Sequence, residues 1–353
     1  MSSFFSVGQR NEHWWFLTPE AEAFFSIGMN HIDSATLRYS ESGDVWQTRF
    51  GNSEQRWIQE GVALDLKTWG FNSIGWTQEV VVRGKTLYRH SRSFTYEEYQ
   101  WSGMPYCHML PFAEVHQWDR EVAYPDVFSK EFEEWCDFVA RKDCVQMAND
   151  PNLIGYFYVD CPSWVHAQNN RDHGPNPKGP WFDPAHLDSR SGRKKLFDMA
   201  QKYYQVTHDA IRRYDPNHLI LGDRYEAKAP LPEEILEAAV PYVDVLSFQY
   251  FSRAEEIGPD FERWHGQTGL PVLLADAGPP QRDPAAYEPM IRGLRELSCC
   301  VGWHVCGAYL QNRCRNAGFR DERGEVVEPL VSEATKANRA TLDWVKKVDQ
   351  TES

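Results

Sequence analysis

Short apolar runs alternate with amphipathic stretches along the whole chain. The runs fall at 24–29, 71–76, 106–112, 153–159, 218–221, 243–248, 271–275 and 300–305. Helical spacing of apolar residues follows at 54–69, 130–147, 194–214, 232–239, 285–297 and 329–346, and an Asp215-Pro216-Asn217 turn closes the third of these. Runs that are apolar on both faces suit parallel strands covered on both sides. Eight strand-then-helix units predict an α/β fold, a (β/α)8 TIM barrel forming a single domain over 1–353. A doubly wound open sheet would place a Gly-rich phosphate turn after an early strand, and none is present. Two segments stand outside the repeat. Residues 11–23 suggest a short hairpin plugging the base of the barrel. Residues 161–193 form a long loop between the fourth run and its helix, holding Trp164 and Trp181; loops of that length are often functional.

Composition adds limits rather than detail. The 353 residues are 42% hydrophobic and 25% charged, enough for a large core. A net charge of -14, spread along the chain, argues against nucleic acid or an anionic membrane as partner. No apolar run approaches the roughly 18 residues of a membrane span. The first ten residues lack a basic region followed by an apolar one, so a cytoplasmic protein is expected. Eight scattered cysteines form no CxxC pair, which suits reduced thiols. No HExxH or similar spacing appears, so no metal and no cofactor are expected. The 14 Trp suit either sugar faces or a large core.

In a barrel of this type the chemistry lies at the C-terminal ends of the strands. The first run ends in Asn30, His31 and Asp33, and the second in Trp76, Gln78 and Glu79. The third carries His108, and the fourth ends in Asp160 and Cys161. The fifth ends in Asp223, Arg224 and Glu226, the sixth in Gln249 and Tyr250, and the seventh in Asp276. The eighth carries Trp303 and His304. Asp160 and Asp276 would face each other across the mouth. Glycoside hydrolysis needs two carboxyl groups, one to donate a proton and one to attack or to activate water. Asp160 is the expected donor and Asp276 the expected nucleophile or base, with Tyr250 positioning it. The plainer alternative is that these aspartates cap helices or pair with Arg224. Asn30, His31, Asp33, Trp76, His108, Trp164, Asp223, Arg224, Gln249, Tyr250, Trp303 and His304 are the candidate sugar contacts. Among them Trp303 would be a ring platform, and Arg224 a clamp for a carboxylated sugar or a neutraliser of Asp276.

Six stretches, WFLTPEAEAFFSIGMNHID, IGYFYVDCPSW, VDVLSFQYF, PVLLADAG, GWHVCGAY and EPLVSEATKAN, occur in this order. Together they resemble the agarase-like and related retaining glycoside hydrolases of clan A. The resemblance covers most of the chain and implies a glycosidase on a TIM barrel. It also implies an Asn-Glu pair ending the fourth strand, with Glu as acid/base, and a Glu nucleophile ending the seventh. Here Asp160 takes the Asn position, Cys161 the first Glu position and Asp276 the second, so neither Glu is present. Three readings follow. Two shorter carboxylates could widen a retaining gap of about 5–5.5 Å into the inverting range of about 6.5–9.5 Å. Alternatively, Asp276 attacks while Asp160, Asp172 or Asp183 supplies the proton. In the third, the barrel binds sugar without cleaving it, or acts as a lyase or isomerase. Cys161, with a thiol pKa near about 8.5, would be a poor acid for a glycosidic oxygen. The expectation is an intracellular, exo-acting glycoside hydrolase whose partner is a small carbohydrate, with a homo-oligomer left open.

Overall fold

The computed structural model describes residues 3–84, 87–116, 123–166, 169–170, 174–175 and 179–351. Asp172 lies outside the described residues. Eight parallel strands close into a barrel: β1 (Ser26–Met29), β2 (Ser73–Ile74), β3 (Tyr106–Met109), β4 (Leu153–Asp160), β5 (Leu219–Glu226), β6 (Leu246–Gln249), β7 (Val272–Ala277) and β8 (Cys300–Val305). Closure runs through β8 and β1, where Trp303 pairs with Ile27 and His304 with Gly28. The outer layer is α1 (Ala63–Thr68), α2 (Tyr96–Ser102), α3 (Lys130–Met147), α4 (Arg190–Tyr214), α5 (Glu233–Ala239), α6 (Ala254–Thr268), α7 (Tyr287–Arg295) and α8 (Leu330–Thr351). The (β/α)8 TIM barrel expected from the apolar runs is thus the observed fold.

Two helices escape the apolar-spacing pattern, for local reasons. The seven residues of α2 are too few to display a period, although Thr95 and Glu98 form a capping box at its start. Helix α6 contains Pro259, which removes one backbone donor and reads in sequence as a break. Helices α3 and α4 start as their sequences indicate. Ser129 accepts from Phe132 N at 3.2 Å, and Ser189 accepts from Gly192 N at 3.0 Å.

The barrel interior is filled by inward residues including Ile154, Phe157, Leu221, Leu273 and Val301. Phe5 and Phe16 close it from below. They flank or belong to a hairpin of Ser6–Arg10 and His13–Leu17, which begins earlier than the 11–23 segment expected. Its turn residues Asn11 and Glu12 are both left-handed, with φ of 49° and 61°, as a two-residue hairpin turn requires.

Two irregularities decide what faces the mouth. On β5, Leu219 and Leu221 point inward, but Gly222 has φ +62° and the pairing with β4 slips on either side of it. The bulge reverses the alternation, so Arg224 turns into the barrel and Asp223 turns out. A Cβ at Gly222 would meet Val243 Cγ1 at 2.9 Å, so the position needs glycine for space as well as for φ. On β8 the pairing jumps from Val272–Cys300 to Leu273–Gly302. Trp303 accordingly turns out and His304 turns in.

The loop over 306–329, between β8 and α8, reaches across the mouth and is anchored on α1. Arg320 Nη2 donates to Asp65 Oδ1 at 2.7 Å while its Nε donates to Oδ2 at 2.5 Å, a two-point pairing that fixes geometry as well as charge. Among the described residues no helix is long and apolar enough to cross a membrane.

Candidate active site

Asp276 ends β7 at the centre of the mouth and is fixed from several sides. Asn30 Nδ2 donates to Asp276 Oδ1 and to Ala275 O, both at 2.8 Å. Asn30 Oδ1 accepts from Trp76 N at 2.8 Å, which sets the orientation of the amide. Space for this amide exists because residue 75 is glycine; a Cβ there would lie 2.2 Å from Asn30 Oδ1. His31 follows with φ 60°, a costly conformation for a side chain of this size. Its Nδ1 is 2.6 Å from Gln78 O. A carbonyl only accepts, so Nδ1 carries a proton and Nε2 faces Asp276 Oδ1 at 3.6 Å.

Arg224 lies between the two aspartates and is fully buried. Its Nε donates to Asp160 Oδ1 at 2.9 Å, and its Nη2 stands 2.8 Å from the same oxygen. The same Nη2 is 3.7 Å from Asp276 Oδ2. That shared nitrogen caps the separation of the nearest carboxylate oxygens at about 6.5 Å, the bottom of the inverting range. The guanidinium sits 4.3 Å from the centre of the Trp76 ring, a cation–π contact in a dry place.

Burial pushes the Asp276 carboxyl up, but Arg224, then His31 and Asn30, outweigh it and hold the group well below the usual carboxylate range. Asp160 follows the same pattern: burial raises it, Arg224 lowers it further, and it ends below its ordinary value despite the nearby charge of Asp276. Burial and Arg315 work against a charged His31, yet Cys306 and Asp276 bring it up to about 10.

Asp160, Asp276, His31 and Gln249 line a chamber of about 200 Å³ together with Tyr88, His90, Arg315 and Cys306. It shares Phe251, Arg282, Cys306 and Arg315 with a wider cleft of about 580 Å³ that runs outward between the loops after β6, β7 and β8. The sequence reading missed Tyr88 and His90, which lie on a small hairpin of Val80–Arg83 and Tyr88–His90 inserted after β2. It also missed Cys306 and Arg315. The available signal for Cys306 was its place immediately after β8.

Several expected sugar contacts lie elsewhere. Asp223 faces α4, where Tyr203 and Tyr204 donate to it at 3.0 and 2.7 Å. His108 is buried edge-on against Tyr99. Trp164 is buried and stacks on Trp181 at 4.5 Å, a pillar inside the long loop. Trp303 is no platform: it packs on Tyr287 of α7 and donates Nε1 to Ala277 O at 2.8 Å. Tyr250 does not position Asp276 with its phenol, which donates to Asp260 on α6 at 2.7 Å. Asp33 caps Ala35 N at 2.8 Å beside a separate surface pocket. His304 sits beneath the chamber, 2.8 Å from Ser26 Oγ. Asp183 caps the turn at Pro184–Asp188. Trp76 lies under Arg224. Cys161, left-handed at φ 47°, is buried with Sγ 3.5 Å from Asp160 Oδ1.

A closed (β/α)8 barrel with buried carboxylates at its mouth is the class that fold and site define. Solved structures of agarases share the fold. An agarase, AgWH50C, superposes with a TM-score of 0.73 at 17% identity, covering 97% of this chain and 64% of that one. An exo-β-agarase gives 0.71 at 16% identity, with 96% and 65% covered. The GH2 β-galacturonidase from Eisenbergiella tayi, bound to galacturonate, gives 0.57 at 12%, with 95% and 54% covered. The chain therefore spans less than two thirds of the length of these proteins. No protein-family model matches the chain, and neither does any curated protein sequence.

Proposed function

We propose that the chain hydrolyses the glycosidic bond of a small glycoside, with the sugar seated in the chamber beside Asp276. The observation that carries this reading is the setting of Asp276. It is a buried carboxylate ending β7, with one oxygen held by Asn30 and the other turned toward Arg224, in a barrel that agarases share. A fixed, charged carboxylate at that place suits direct attack on an anomeric carbon. The short cap on the Asp160–Asp276 separation leaves little room for an intervening water. That spacing bears on retention against inversion only where Asp160 is the second catalytic carboxyl; with Asp276 as the attacking group the reading is retention through a covalent intermediate. The small chamber suits removal of a terminal sugar.

Asp160 has a different role in this reading from the donor expected of it. Paired with Arg224 it rests ionised, so it serves as the counter-ion that keeps Arg224 in place. A neutral acid in the chamber is Tyr88, whose phenol burial keeps protonated, beside the thiols of Cys306 and Cys314.

The test is turnover of a panel of nitrophenyl glycosides and short oligosaccharides, with products followed by NMR. Asp276→Asn is expected to lower kcat by about a thousandfold or more. A nitrophenolate leaves without help from an acid. If Asp160 is a counter-ion, Asp160→Asn slows activated and unactivated substrates to similar extents. A far larger loss on the unactivated ones would restore Asp160 as the donor. No turnover on any substrate, with sugar binding retained, would make this a binding barrel.

A further inference from the structure

The structure assigns a divalent-cation site, of the kind that takes zinc, to His31, Asp276 and Cys306. We infer that a metal ion occupies the space between these three side chains. They come from the ends of β1, β7 and β8, so no spacing in the sequence brings them together. One donor atom from each lies within 4.8 Å of the others, and all three residues are buried.

The first argument is the orphaned nitrogen. His31 Nε2 is buried and has no hydrogen-bond partner. With Nδ1–H committed to Gln78 O, a neutral imidazole aims its Nε2 lone pair at the lone pairs of Asp276 Oδ1. Two acceptors do not face each other in a dry site without something positive between them. A proton on Nε2 is one solution, the one that Cys306 and Asp276 favour by raising the imidazole, but at 3.6 Å it makes an ion pair and no close hydrogen bond. A metal fits the gap. Two ligands bound at about 2.0–2.2 Å in a tetrahedron stand roughly 3.3–3.6 Å apart.

The second argument is the surroundings of the ligands. A metal-binding histidine commonly donates its other nitrogen to a backbone carbonyl, as His31 does to Gln78. Asn30 holds the same Asp276 oxygen at 2.8 Å, and Arg315 Nη1 lies 3.2 Å from Cys306 Sγ. The two guanidinium groups do not forbid a cation, because each has its own carboxylate. Arg224 is matched by Asp160 at 2.8 Å and Arg315 by Glu79 at 3.1 Å. Arg224 also approaches Asp276 from Oδ2, the side away from His31. Three protein ligands facing an open chamber leave the fourth position for water or a sugar hydroxyl.

This inference does not rest on hydrolysis, since binding is read from the metal itself. Where hydrolysis does occur, a bound cation takes the Asp276 oxygen and competes with the sugar. The experiment is to strip the folded chain with chelator, add Zn²⁺ or Co²⁺, and measure bound metal by mass spectrometry and the cobalt–thiolate charge-transfer band. One equivalent per chain is expected, together with that band and protection of Cys306 from alkylation. Cys306→Ser should abolish the band and weaken binding by about 100-fold. His31→Gln should weaken binding comparably, and Cys314→Ser, a control in the same chamber, should leave it unchanged. Absence of stoichiometric metal in the folded wild type overturns the site, and so does a band that persists in Cys306→Ser. The first of these does not depend on a variant folding, because stoichiometry and thiol protection are read on the wild type alone. Inhibition of hydrolysis by Zn²⁺ is read separately, so an inactive chain that binds metal and an active chain that does not are distinct outcomes.

Discussion

Buried aspartates lie on both faces of the barrel wall, and they behave in opposite ways. Asp223, on the outer face, is 1% exposed; Asp160 and Asp276, at the mouth, are 4% and 3% exposed. Depth alone would raise all three carboxyls. The partners of Asp223 are neutral, among them the hydroxyls of Tyr203 and Tyr204. Burial wins there, and the group is pushed up to about 6. Asp160 and Asp276 share Arg224, and both fall below their ordinary range. Adjacent residues of one strand therefore create two different electrostatic settings. The bulge at Gly222 decides which setting each residue enters. A charge partner, not depth, separates a group fit for attack from one that is part of the wall.

Removing that partner should give the largest effect. Arg224→Met leaves buried Asp160 without its cation and Asp276 with His31 alone, and the expected loss of stability is about 3–5 kcal/mol. Urea unfolding at neutral pH measures it. A loss below about 1 kcal/mol would mean that water, not Arg224, stabilises the mouth charges.

The outer face gives a smaller effect, with a definite pH window. The neutral form of Asp223 is favoured in the folded chain, because its carboxyl is raised from 3.8 to about 6. Its contribution is therefore full below about pH 4 and is lost as pH rises through about 6. Wild type should lose roughly 2–3 kcal/mol relative to Asp223→Asn between pH 4 and pH 7, then run parallel to it. Paired thermal melts across that interval test this, and a constant difference would contradict the assignment.

The barrel was legible in sequence because each strand is a run apolar on both faces, which only a covered parallel sheet tolerates. The strand ends were legible too: Asn30, His31, Asp160, Arg224, Gln249 and Asp276 do gather at one mouth. What could not be read was which way each end residue turns. Alternation along a strand is a simple period of two until a bulge resets it. The bulge at Gly222 moved Asp223 outward, and the slip before Gly302 did the same to Trp303. Nor do single runs reveal a site assembled from His31, Asp276 and Cys306, since those residues meet only when the barrel closes.

Trp303 offers the smallest and most discriminating test of that division. As a sugar platform it would supply stacking, and replacing it would raise KM. In the structure its ring lies against Tyr287 at 4.8 Å, and its Nε1 is spent on Ala277 O, one residue beyond Asp276. Trp303→Phe keeps an aromatic ring but removes that hydrogen bond, so stability should fall by about 0.5–1.5 kcal/mol. KM for any substrate the chain turns over should stay within twofold or so of wild type, because the ring never meets the chamber. Should kcat fall modestly while KM holds, the cause would be looser backbone at Ala277 shifting Asp276, a transmitted effect of the outer face on the inner one. A rise in KM of tenfold without loss of stability would instead place the indole at the mouth and break the distinction between the two faces.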